Sequence, residues 1–231
     1  MGQAIEKPKK IFPHGLPQEV LPGLWQVQGS LPIPLPRWMT LWRMPNGKLL
    51  IYSAIALDEP GMAAVEALGE PGVLVVPHPL HTMDAAFFVQ RYPGLQVIAP
   101  DDAAAKLPGV RIDVTPEKGL AALGLQHRIV PGLRYSEVML ELPTAGGNAL
   151  LFTDLLAFGA ADQWLLRLIG PPGGQGVPRI VRVRQVKDKA PVRSFLSQLA
   201  ERPDIVAVLP SHCPAVLSGV QQALAGAVRS L

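Results

Sequence analysis

Three apolar runs of strand length, far apart in the chain, each stop at a side chain able to bind a metal. "VLVVP" (73–77) leads to His78 and His81, "ALLFT" (149–153) to Asp154, and "IVAVLPS" (205–211) to His212. Short continuous apolar runs suit strands covered on both faces. In open α/β sheets, ligands bind in the crevice beyond the carboxyl ends of the strands. A fold that aligns these three ends brings three imidazoles and a carboxylate together, a donor set suited to zinc or iron.

The elements between these runs narrow the fold further. "LWQVQGSL" (24–31) is strand-like, and the two strand-like runs of "RWMTLWRMPNGKLLIYSAI" flank Asn46-Gly47, the preferred pair for a two-residue hairpin turn. Residues 60–69 form a short helix with proline near its start and glycine past its end. Strand 72–76, helix 83–92, strand 95–99 and helix 101–107 follow. Then come strand runs "LQHRIV", "SEVMLELP" and "NALLFTDLLAF", the last two joined by a turn around Ala145-Gly146-Gly147. A flexible connector, "GPPGGQGVP" (170–178), precedes "RIVRVRQVKDK", whose alternation of arginine and valine reads as a strand with one wet face. Helix 191–201, strand 204–210 and a closing helix complete the chain. The first 23 residues are proline-punctuated and extended, ahead of a single α/β domain over 24–231.

Composition excludes several classes. With 231 residues, only 17% of them charged, the chain has the length and apolar content for a substantial core. A formal net charge of +3 permits an anionic substrate but falls short of a dedicated nucleic-acid binder. The single cysteine, Cys213, allows no intramolecular disulfide. No apolar h-region follows the N-terminal lysines, and no stretch approaches the roughly 20 apolar residues of a membrane span. The expectation is a soluble cytoplasmic protein that works on a small molecule.

The remaining signals have structural readings. Asp84 suits the acidic preference of the first turn of the helix that follows it. His14 and His127 lie outside the constellation and read as structural or exposed. Cys213 reads as a small buried residue, and "GPPGGQG" lacks the Gly-Lys-Ser/Thr ending of a phosphate loop. Ser211 and His212, being adjacent, do not make a catalytic triad.

The ordered set "VVPHPLHTMDAAF", "FTDLLAF" and "LPSHCPAV" resembles the metallo-β-lactamase-fold superfamily. That superfamily places H-x-H-x-D-H after an early core strand, a histidine in a later turn, an aspartate at a strand end and a final histidine in a turn. "LPIPLPRWMTLWRMPNGKLLIYSAIALDE" further resembles a little-characterised branch of it. The resemblance runs from about residue 24 onward and implies a four-layer αββα sandwich with mixed sheets. Asp154 matches the aspartate and His212 the final histidine. With His78 as the first histidine, Leu80 takes the second histidine's place, Thr82 the aspartate's and Met83 the third histidine's; Leu133 stands at the turn histidine. What remains is His78 or His81 with Asp154 and His212, joined or not by Asp84. The resemblance implies a mononuclear metal-dependent hydrolase of an ester, thioester, lactone or phosphoester, using zinc, iron or manganese, with Asp154 positioning metal or water. The rival expectation is a member of the fold that has lost its metals and binds a small molecule or protein.

Overall fold

Period-two alternation divides the strand side chains between three apolar layers. In the first sheet Leu50, Tyr52, Val73 and Val75 face the second sheet, while Leu49, Ile51 and Leu74 face helices. In the second sheet Leu140, Leu142, Leu151 and Leu209 return the contact, and Met139, Leu150, Phe152 and Val208 point to the other helical layer. Two sheets covered on both faces give central strands that are almost wholly apolar, such as "VLVV" and "IVAVL", as their sequences require. The result is a four-layer αββα sandwich. The structure is a computed structural model, and it describes residues 10–159 and 169–231.

The first sheet runs β1 (Gln18–Leu21), β2 (Leu24–Gly29), β3 (Arg37–Arg43), β4 (Leu49–Tyr52), β5 (Pro71–Val75) and β6 (Gln96–Ile98) in that spatial order. The pairs from β1 to β4 are antiparallel, and those from β4 to β6 are parallel. Helices α1 (Glu59–Glu66) and α2 (Ala85–Arg91) connect β4 to β5 and β5 to β6, and α3 (Asp101–Ala104) and α4 (Pro116–Ala122) lead from β6 to the second sheet. That sheet has the order β12-β9-β8-β7, with β7 at Gln126–Ile129, β8 at Val138–Thr144, β9 at Gly147–Phe152 and β12 at Ile205–Pro210. A short ribbon pairs β10 (Ala157–Phe158) with β11 (Gln175–Gly176). Helices α5 (Arg179–Arg184), α6 (Lys189–Ala200) and α7 (Val220–Ser230) cover the outer face, burying Phe195, Leu196, Leu199 and Leu224 there. Among the described residues no helix is long and apolar enough to cross a membrane.

Local chemistry accounts for most element ends. Asp58 caps α1 by accepting from the Gly61 N–H at 2.8 Å, with Pro60 inside the first turn. The β3–β4 connection is one residue longer than expected: Met44 N–H donates to Lys48 O, and Gly47 takes φ +81°. That is the three-residue loop with glycine in the left-handed position, and not the two-residue turn. The extended segment before residue 24, described from residue 10, supplies β1 as an edge strand, and His14 bridges to Gly29. Residues 1–9 of that segment lie outside the described residues.

Three expectations need correction. "RIVRVR" is helix α5, not a strand; only Val181 enters the core, while Arg182 Nη1 donates to Ser230 O of α7 at 2.7 Å. Its arginines and valines alternate over too few residues to separate the two periods, so tertiary contact decides. "NALLFTDLLAF" breaks after Phe152, because the Thr153 and Leu155 N–H groups turn inward to the Glu137 carboxylate. The connector at 170–178 is structured, with a 3-10 turn at Pro172–Gly174 and the β11 pairing.

Candidate metal centre

Two parallel strand pairs aim their carboxyl ends at one place. In the second sheet β9 and β12 run parallel in the register Leu151–Leu209 and Phe152–Pro210, so Asp154 and His212 emerge together. In the first sheet β4 and β5 run parallel with Tyr52 opposite Val75, and Ser53 and the His78–His81 turn emerge there. Two bonds lock the sheets at this end: Trp38 N–H to Ser211 O at 2.8 Å and Tyr52 Oη to Val138 O at 2.7 Å. Buried Tyr52 stays a neutral donor, because burial first, then the charges of Glu137 and Asp154, hold its pKa well above the ordinary value.

His81, Asp154 and His212 converge, with one ligand atom from each lying within 4.8 Å of the others. His81 Nε2 is 2.9 Å and His212 Nε2 3.1 Å from Asp154 Oδ1. Behind each ring the other nitrogen is held: His212 Nδ1–H donates to Pro36 O at 2.8 Å, and His81 Nδ1 is 2.8 Å from Ser53 Oγ. A carbonyl only accepts, so His212 Nδ1 carries a proton, and Nε2 faces Asp154, donating to it when protonated and offering a lone pair to a metal when not. This is the outer-shell arrangement that orients metal-binding imidazoles. Ser53 itself takes φ +59°, a left-handed conformation that costs energy for a residue other than glycine.

His78 and Asp84 are placed elsewhere. The ring of His78 is fully buried; Nδ1 accepts from Leu80 N–H at 3.0 Å, and Nε2 donates to Gln185 Oε1 at 3.1 Å. Gln185 Nε2 in turn donates to Asp154 Oδ2 at 2.8 Å. His78 thus has no lone pair to offer, and burial, only partly offset by the charge of Asp154, keeps it neutral with a lowered pKa. Asp84 is 2.6 Å from Arg37 Nη1 and accepts from Ala56 N–H at 3.0 Å. Its side chain makes no capping bond to α2, a correction to the helix-capping expectation: the buried guanidinium outcompetes the helix terminus.

The electrostatics follow from burial and pairing. For Asp154, burial opposes ionisation most strongly, but the charges and hydrogen bonds of His81 and His212 together hold its carboxyl well below the usual range. For His212, burial would lower the pKa, yet the bond and charge of Asp154 raise it above the ordinary value. Glu137, fully buried beneath the Asp154 turn, is pushed up to about 7 by burial and then by the Asp154 charge. Burial pushes the Cys213 thiol up to about 12, and its sulfur accepts from Phe158 N–H, so it is an inert wall residue.

Gln185, Ser53, Glu137 and Arg37 were not nominated from the sequence. Gln185 sat inside the stretch misread as a strand. Ser53 had one signal, a polar residue ending a wholly apolar strand. Nothing in the local sequence ties Glu137 or Arg37 to the site.

The donors fit a divalent cation of the zinc type. Two imidazoles and a carboxylate, each ring oriented through its far nitrogen, supply three ligands and leave an open position. The site opens into a cavity of about 1030 Å³ lined by Trp38, Phe158, Val181 and Val216 among others.

No family model matches the chain, and a comparison with curated proteins finds no match. Solved structures do match. The metallo-β-lactamase FIM-1 from Pseudomonas aeruginosa, in its mono-zinc form, superposes with a TM-score of 0.63 at 12% identity, covering 92% of this chain and 94% of its own. The metallo-β-lactamase DIM-1 gives 0.62 at 12% identity over 94% and 99%. That of Erythrobacter litoralis gives 0.58 at 15% over 93% and 92%. The chain has the metallo-β-lactamase fold.

Proposed function

We propose that the protein is a metal-dependent hydrolase with a single-metal site formed by His81, Asp154 and His212. The observation that carries this reading is the convergence of their three ligand atoms at the cavity, with both imidazoles oriented from behind. Pro36 and Ser53 hold the rings so that Nε2 faces Asp154. Gln185 fixes Asp154 Oδ2, which leaves Oδ1 for the cluster. When bound, a zinc, iron or manganese ion would bring the pKa of a coordinated water toward ~7 and so supply hydroxide at neutral pH. Asp154 balances the positive charge of the site and orients the attacking water, while the apolar walls keep bulk water from competing. Metal analysis of protein purified without chelator tests this. About one equivalent is expected, and less than about a tenth overturns the hydrolase reading.

One observation favours a second reading. Asp154 is fully satisfied by His81, His212 and Gln185 without an ion. In this alternative the same cavity serves a metal-free binding module, and a metal-free protein that still binds ligand would establish it.

A further inference from the structure

The cavity is graded from polar depth to apolar mouth. The side chains of His81, Asp154 and His212 are 8%, 10% and 17% exposed, so the cluster lies deep. Around the mouth stand Ile33, Leu80, Met83, Ile180 and Leu217, each between 37% and 61% exposed. They are five of the nine exposed large hydrophobic residues among the described residues, gathered on one opening. Exposed apolar side chains scattered singly need no explanation, but a contiguous group around a concave site marks a ligand surface.

Charge narrows the ligand further. Among the described lining residues the one arginine or lysine is Arg37. Its Nη1 is committed to Asp84 at 2.6 Å and its Nε donates to Ser30 O at 3.1 Å. Away from the cluster, a ligand carboxylate or phosphate would therefore leave water and meet no uncommitted arginine or lysine among the described lining residues, a net desolvation cost. An aliphatic chain meets the opposite situation, and each buried methylene strengthens binding by about fourfold.

We propose that the cavity takes the aliphatic chain of an uncharged acyl ester or lactone, with its carbonyl at the His81–Asp154–His212 cluster. This substrate class rests on the hydrolase reading. Hydrolysis joins the oxygen of water to the acyl carbon and breaks the bond from that carbon to the alkoxy oxygen. The alkoxy oxygen leaves with one proton of the water, and the acid product releases the other.

The test uses methyl ketones, unhydrolysable analogues of such esters. Calorimetric titration of chelator-treated full-length protein with 2-hexanone, 2-octanone, 2-decanone and 2-dodecanone should show Kd tightening by about fourfold per added methylene. A flat series overturns the chain assignment. The double variant Ile33→Asp/Leu217→Asp, altered only at exposed positions, should weaken 2-dodecanone by about tenfold or more, while Leu16→Asp, exposed and outside the cavity, leaves it unchanged. An unchanged Kd in the double variant also overturns the assignment, and dodecyl phosphate binding more tightly than the ketone overturns the uncharged class. The two layers of the proposal fail separately. A steep ketone series in a protein that carries metal but hydrolyses no ester sinks the hydrolase reading alone. A flat series with turnover of short esters sinks the chain assignment alone.

Discussion

The two oxygens of Asp154 face different surroundings, and the difference separates a ligand site from its scaffold. Oδ1 meets two imidazole nitrogens whose rings are held from behind and which border an open cavity. Oδ2 meets Gln185, which is tied to a histidine with both nitrogens engaged and no exposure. His78 and His81 are three residues apart, yet one belongs to each side. A histidine becomes a ligand candidate when its lone pair is left over after local hydrogen bonds are satisfied, and His78 spends its lone pair on the backbone of its own turn.

The largest effect that would break this division is at Oδ1. Asp154→Ala, His81→Ala and His212→Ala are each expected to reduce retained metal below about a tenth of an equivalent. His78→Ala should keep metal but lose roughly 2–4 kcal/mol of stability in denaturant melts, through its cavity and the orphaned Gln185. Metal loss in His78→Ala with full stability would reverse the assignment of the two rings. Asp84→Ala offers a second contrast: leaving Arg37 buried without its partner should cost roughly 3–5 kcal/mol with metal content unchanged. On the Oδ2 side, Gln185→Leu should weaken metal affinity by about 10–100-fold in a chelator competition without abolishing it.

The smallest effect concerns pH. Glu137 has a folded pKa of about 7, above its ordinary 4.5, so the folded state holds that proton more tightly than the unfolded chain. Its contribution to stability is fully present below about pH 4.5 and is lost as pH rises through about 7. Glu137→Gln should flatten that part of the stability profile, and an unaltered slope would mean another group titrates there.

The layered fold was legible because its signal is redundant. Runs such as "GVLVV" and "IVAVLP" declare strands covered on both faces, and they recur between helical stretches in an order few architectures share. The hairpin around Asn46-Gly47 was legible for the same local reason, although the loop length was not. Short segments with mixed periods were the failures: "RIVRVR" supports strand and helix equally until Val181 and Arg182 find α7 and the core. The site was legible at its strand ends, since Asp154 and His212 each follow an apolar run directly. It was not legible in the loop after β5, where His78, His81 and Asp84 all have suitable chemistry and similar spacing.

What the amino-acid sequence determined by itself is therefore the central strands of the two sheets, their double burial and the residues that must emerge at their carboxyl ends. Those follow from periodicity and hydrophobic burial, which act over a few residues. Which of those residues remain available for chemistry was decided by tertiary structure. Leu80 N–H removes His78, Arg37 removes Asp84, and Pro36 and Ser53 turn His212 and His81 toward Asp154. Apart from Leu80, these partners lie some 28 to 176 residues away in the chain. Hydrogen bonds and ion pairs are directional and short-ranged, so the competition for each lone pair is settled only when the sheets close on one another.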